Sequence, residues 1–159
     1  ELVEFATDAH AEAPAQHVDL GEVVARVVER AQRRSGRRLA LERATDLPTM
    51  VDVRVSAIDR AVHNLLDNAC KFSEPETPID VTVHGGVVEV SDRGVGIAEA
   101  ERELVFDRFY RATGARSKPG SGLGLAIVQQ IAELHGGTIE LDARPGGGIT
   151  ARLTLPLSA

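Results

Sequence analysis

The 159 residues carry 24 acidic against 18 basic side chains, a formal net charge of -6, with 43% hydrophobic and 26% charged residues. That composition suits one soluble domain with a buried core, excludes disordered, collagen-like and disulfide-scaffold classes, and argues against a protein that wraps nucleic acid. A lone cysteine, Cys70, cannot form an internal disulfide, nothing at the start reads as a signal peptide, and no apolar run approaches the ~18 residues of a membrane span.

Residues 1–9 (ELVEFATDA) read as the end of a longer helix, and 10–17, with Pro14, as a linker. Asp19 is placed to cap a helix running to about Arg34, with Val23, Val24, Val27, Val28 and Ala31 on its apolar stripe and Gly36 at its end. Residues 38–43 alternate Leu39 and Leu41 with polar neighbours and read as a strand, and 49–54 as a second. Ser56, with Asp59 three residues on, approximates a capping box for a helix burying Ile58, Val62, Leu65, Leu66 and Ala69 and running to about Phe72. Residues 79–84 and 87–91 alternate around Gly85-Gly86, a hairpin signal. From 93 to 121 the texture is glycine, Pro119, charge and one short amphipathic stretch at 99–106, a connection long enough to be functional or mobile. Residues 123–134 read as a helix, and 138–142 and 149–155 as a closing strand pair around the glycine turn at 146–148. The order predicts an α/β fold: a two-layer sandwich of a mixed, mainly antiparallel sheet with helices on one face.

Four constellations could carry chemistry. Asn64, Asn68 and Lys71 are spaced i, i+4, i+7, so they share one helix face. A carboxamide oxygen suits Mg²⁺ and a lysine suits phosphate, although a solvated polar face has the same pattern. Asp92-Arg93-Gly94-Val95-Gly96 follows an apolar strand. Its carboxylate can accept from an exocyclic amine and its glycines admit a flat ligand; a plain glycine turn would look alike. Gly120-Ser121-Gly122-Leu123-Gly124-Leu125 opens a helix, where unpaired N–H groups and the dipole favour phosphate, or where glycine merely allows tight packing. Phe106-Asp107-Arg108-Phe109-Tyr110-Arg111 places three of the five aromatics in a polar segment, either anchoring a lid with Arg108 and Arg111 free for an anion or forming a satellite core. Their order describes one pocket for a Mg-nucleotide under a lid.

These segments resemble the N, G1, G2 and F boxes of the catalytic domain of bacterial two-component sensor histidine kinases, in the superfamily shared with gyrase, Hsp90 and MutL ATPases. The resemblance covers residues 19–157, includes His135-Gly136-Gly137, and with the Arg-rich composition looks actinobacterial. It implies a Bergerat (GHKL) fold with an ATP lid over about 93–121, and ATP and Mg²⁺ as ligands. It implies Asn68 as the Mg²⁺ ligand, Asn64 and Lys71 near the phosphates and Asp92 on the adenine amine. Gly94, Gly96, Ile97, Phe106, Gly120, Ser121, Gly122, Leu123, Gly124 and Leu125 would complete the nucleotide site, with Asn64, Lys71, Arg108 and Arg111 as the catalytic set. Both lysines, Lys71 and Lys118, would then lie near phosphate.

In the related ATPases a glutamate four residues before the metal-binding asparagine activates water. Asn64 stands there in this chain and lacks useful basicity near neutral pH, which favours a kinase over a hydrolase. An anti-sigma-factor serine kinase of the same fold and a nucleotide-binding module without turnover are the alternatives. None of His10, His17, His63, His84 and His135 has a phosphoacceptor setting, and His135, at a helix end, is where a cation is favoured. None pairs with Cys70 at zinc-ligand spacing. The chain is therefore expected to comprise a dimerisation-helix tail and linker (1–17) and a catalytic domain (18–159), monomeric and cytoplasmic. Its parent would be a homodimer in the plasma membrane, with its own phosphoacceptor domain and a response regulator as partners and no nucleic acid.

Overall fold

The computed structural model describes residues 14–107 and 124–158. In chain order these form β1 (Gln16–Asp19), α1 (Leu20–Ser35), β2 (Leu39–Arg43), β3 (Met50–Val53), α2 (Val55–Lys71), β4 (Ile79–His84) and β5 (Val87–Ser91). Two single-turn 3-10 helices (Glu99–Glu101 and Leu104–Phe106) come next, followed by α3 (Gly124–Leu134), β6 (Thr138–Ala143) and β7 (Ile149–Thr154).

Five strands form one sheet in the order β2-β4-β5-β7-β6, parallel only between β2 and β4. A parallel neighbour needs a crossover, and α2 lies in the one between β2 and β4. The period-two pattern turns Ile79, Val81, Val83, Val88, Val90, Ala151 and Leu153 inward, where they are buried. The three helices meet them with Leu20, Val24, Val27, Ile58, Leu65, Leu66, Val128 and Ile131, one contiguous core on one face of the sheet. The opposite face is polar. At its centre Arg152 donates to Glu89 and Asp142, each at 2.7 Å, so this side tolerates water.

Helix α1 starts and stops where the sequence places it. The Asp19 carboxylate accepts from the Gly21 N–H at 2.9 Å and from the Thr49 hydroxyl, and Gly36 closes the helix at φ 71°. The Thr49 hydrogen bond, the Gly21 N–H and the nearby Arg43 guanidinium hold the Asp19 carboxyl below its usual range against a desolvation penalty. Arg37, just beyond, is buried. It donates to the Cys70 carbonyl, the Ser73 hydroxyl and the Thr77 carbonyl, tying the end of α1 to the end of α2.

Two expectations change. Gln16 and His17, read as linker, belong to β1, which pairs antiparallel with β3. Helix α2 begins at Val55, capped by Arg54, so Ser56 lies inside its first turn and no capping box forms. The Arg54 carbonyl accepts from the Ala57 and Ile58 N–H groups, which sets the start ahead of Ser56.

Candidate functional site

Helical spacing puts Asn64, Asn68 and Lys71 on one side of α2, beside the stripe that packs into the core. Asn64 and Asn68 are part-buried. The Asn64 amide donates to the Gly124 carbonyl at 3.4 Å. A Cβ on Gly124 would stand 4.0 Å from the Asn68 Oδ1, so the first turn of α3 faces both carboxamides. Lys71 pairs with Asp67 at 3.2 Å on the surface, a contact worth little.

Asp92 extends the β5–β7 ladder by one residue, its N–H donating to the Ile149 carbonyl at 3.0 Å. Its Oδ1 accepts from the Gly94 N–H at 2.8 Å and from the Ile149 N–H at 3.4 Å. The residue is 9% exposed. Burial raises its pKa, partly offset by those N–H groups and by Arg144 and Arg37. Both of these hydrogen bonds fall on Oδ1 rather than Oδ2.

Glycines set the walls of this turn. A Cβ on Gly94 would fall 1.9 Å from the carbonyl oxygen of Phe72, the residue that ends α2, so the Asp92 turn rests directly on the α2 terminus. A Cβ on Gly148 would fall 2.0 Å from the Asp92 carbonyl oxygen, at φ 102°. The α2 stripe, the Asp92 turn and the start of α3 therefore converge on the C-terminal half of α2.

Gly96 adopts φ 78°, and Ile97 packs against the core while its carbonyl accepts from Arg102 at 3.2 Å. Phe106 is buried in the core beside Val105. Leu125 packs partly against the same core. Arg108, Arg111, Lys118, Gly120, Ser121, Gly122 and Leu123 lie outside the described residues.

Three residues escaped sequence reasoning or were misjudged by it. Nothing in the sequence singles out Arg37, which is buried. His63 is half-buried and accepts from Arg34 at 2.9 Å through Nδ1. Burial first, then Arg34, lowers its pKa. His135, expected as a cation, lies 2.7 Å from the Ile131 carbonyl through Nδ1 and accepts from the Arg54 N–H at 3.1 Å through Nε2. A carbonyl only accepts and an amide N–H only donates, so this ring is neutral with its proton on Nδ1.

No group of three or more His, Cys, Asp or Glu side chains that could hold a metal occurs among the described residues. The Asn68 oxygen is a hard, neutral ligand atom beside the first residue of α3. That fits Mg²⁺, which keeps waters and takes phosphate oxygens with few protein ligands. No described helix is long and apolar enough to cross a membrane.

The family described as histidine kinase-, DNA gyrase B-, and HSP90-like ATPase matches residues 53–159. The signal transduction histidine-protein kinase/phosphatase MprB of Mycolicibacterium vanbaalenii is 43% identical over 98% of this chain. The chain spans about a third of that relative's length (34%). A solved mycobacterial sensor histidine kinase MprB superposes with a TM-score of 0.75 at 38% identity, covering 89% of this chain and 97% of that one. The ATP binding domain of PrrB from Mycobacterium tuberculosis superposes at 0.70 with 29% identity, covering 92% of this chain and 99% of that one.

Proposed function

The chain belongs to the histidine kinase-, DNA gyrase B-, and HSP90-like ATPase family, and from that premise we propose that it is the catalytic domain of a two-component sensor histidine kinase. It binds Mg-ATP and presents the γ-phosphate to a histidine on a separate dimerisation and phosphoacceptor domain. Residues 18–159 are the catalytic unit and 1–17 the tail and linker of the dimerisation domain. The parent is a homodimer at the plasma membrane that passes phosphate to a response regulator.

The observation that carries the reading is the Asp92 carboxylate. Its Oδ1 is held by two backbone N–H groups, and it is wedged between the end of α2 and the turn before β7. Such a group orients one exocyclic amine and so fixes the adenine end of a nucleotide. The phosphate end then falls toward the Asn64–Asn68–Lys71 stripe and the start of α3. Bound Mg²⁺ supplies charge neutralisation on the phosphates, and the protein's share is positioning. Asn68 offers an oxygen to the metal, and Lys71 offers its ammonium to phosphate by exchanging Asp67 for it. Asn64 holds Gly124 and withholds a base from water, which keeps the γ-phosphate for its acceptor. Arg108 and Arg111 complete the charge around the terminal phosphate.

Labelled ATP with a fragment carrying the acceptor histidine tests the reading. Acid-labile, base-stable phosphate on the fragment is expected. Acid-stable phosphoserine on an antagonist protein would instead make the chain an anti-sigma kinase, and rapid free phosphate an ATPase.

A further inference from the structure

Resting on the ATP-binding reading, we infer that His135 is a positioning residue that sets the axial register of α3 against α2, and through it the place of Gly124 beside Asn64 and Asn68. The residue meets the start of α2, whereas the Asp92 turn rests on the end of that helix. Its part comes from what it joins.

Helix α2 has no side-chain N-cap. In a capping box the third helical residue reaches back to the N–H of the cap residue. That position is Ala57, which cannot do so. The bond is supplied by another helix: the His135 Nε2, just past the end of α3, accepts the Arg54 N–H at 3.1 Å. At the opposite end of the pair, Asn64 of α2 donates to the Gly124 carbonyl of α3 at 3.4 Å. The two helices are antiparallel and keyed at both ends. The spans agree: at 1.5 Å per residue, 54 to 64 covers roughly 15 Å and 124 to 135 roughly 16.5 Å, a mismatch of about one residue's rise.

Between the keys the packing is apolar, with Ile58, Ala61 and Val62 of α2 and Ile127, Val128 and Ile131 of α3 all buried. Such packing is non-directional and specifies register poorly. The polar keys specify it. Residue 124 is the first of α3 and faces Asn64 and Asn68, so a slip of α3 moves the backbone next to the phosphates.

Two conservative variants separate the two bonds of the ring. His135→Gln places a carboxamide near the Nε2 position and keeps an acceptor for Arg54, while losing the Nδ1 donor to Ile131. His135→Asn keeps a donor near Nδ1 and removes the Nε2 acceptor from the Arg54 N–H. Mg-ATP affinity is titrated on both with a fluorescent ATP analogue, on protein whose folded fraction is read by circular dichroism in the same buffer. Amide hydrogen exchange is followed over residues 54–58. The expected result is near wild-type affinity for the Gln variant. For the Asn variant it is an affinity about three- to tenfold weaker, with faster exchange at the start of α2. Equal affinity of wild type and Asn variant, or a loss in the Gln variant as large as in the Asn variant, overturns the inference. Wild-type protein that binds no Mg-ATP overturns the nucleotide reading instead, and exchange at 54–58 in the two variants then decides the link by itself.

Discussion

Gly147 and Gly148 offer a matched pair of alanine substitutions. Both glycines have positive φ, 116° and 102°, so alanine at either costs about 1–3 kcal/mol in backbone strain. A Cβ on Gly147 meets nothing within 4 Å, whereas one on Gly148 lands 2.0 Å from the Asp92 carbonyl oxygen. Reaching even 3.0 Å requires the two backbones to part by 1.0 Å (3.0 less 2.0). That opening stretches the Asp92–Ile149 contacts at 3.0 and 3.4 Å out of hydrogen-bond range. Two such bonds are worth about 2 kcal/mol together. Gly148→Ala should therefore be less stable than Gly147→Ala by about 2 kcal/mol. With a slope of about 2 kcal/mol per molar urea, that is roughly a 1 M difference in midpoint. Nucleotide affinity should fall in the Gly148 variant and persist in the Gly147 variant. Indistinguishable urea midpoints, or wild-type ATP binding by Gly148→Ala, would refute the claim that this glycine seats Asp92.

Asp92→Asn keeps the Oδ1 acceptor but presents an amine where Oδ2 was, so calorimetry should show ATP affinity lost with the fold intact. Because burial raises the Asp92 pKa, the cost of its charge is absent in acid and appears as the pH rises through the raised value. The Asn variant should match or exceed wild-type Tm at pH 7 and lose that advantage near pH 4. Asn68→Ala should remove the Mg²⁺-dependent part of ATP affinity, and equal losses with and without Mg²⁺ would reject the metal assignment. Asp19→Ala should cost about 1 kcal/mol of stability. The Asp19 pKa is lowered, so its contribution is present at neutral pH and is lost as the pH falls through the carboxylate range. Urea midpoints of variant and wild type should therefore converge in acid. Arg37→Ala should cost about 3 kcal/mol by stranding the Cys70 and Thr77 carbonyls, and Arg37→Lys should recover little, since one ammonium cannot reproduce the planar fork.

Local signals were legible where one residue decides the matter. Asp19 and Gly36 bound α1, Gly85-Gly86 turns the β4–β5 hairpin, and Asp92 ends its strand as a buried acceptor. Long-range signals were not. Nothing in Gln16–Asp19 marks a strand, because its pairing to β3 depends on a partner more than thirty residues away. The start of α2 was placed too late because its cap partner is a histidine from another helix. The burial of Arg37 depends on three acceptors brought together only by the meeting of α1 and α2. The four boxes named candidate residues for the site, while the seating of Asp92 on Phe72 and Gly148 needed coordinates.

Strand β7, latest in sequence among the described strands, is not at an edge of the sheet but between β5 and β6, and its Ile149 supplies one of the N–H groups on Asp92. During synthesis on the ribosome, α1, α2 and the Asp92 turn are all made before that strand exists. In a nascent chain ending short of residue 149, Asp92 has the Gly94 N–H but lacks both contacts to Ile149. The hydrogen bonding of the Asp92 turn is therefore completed late, when β7 inserts between β5 and β6.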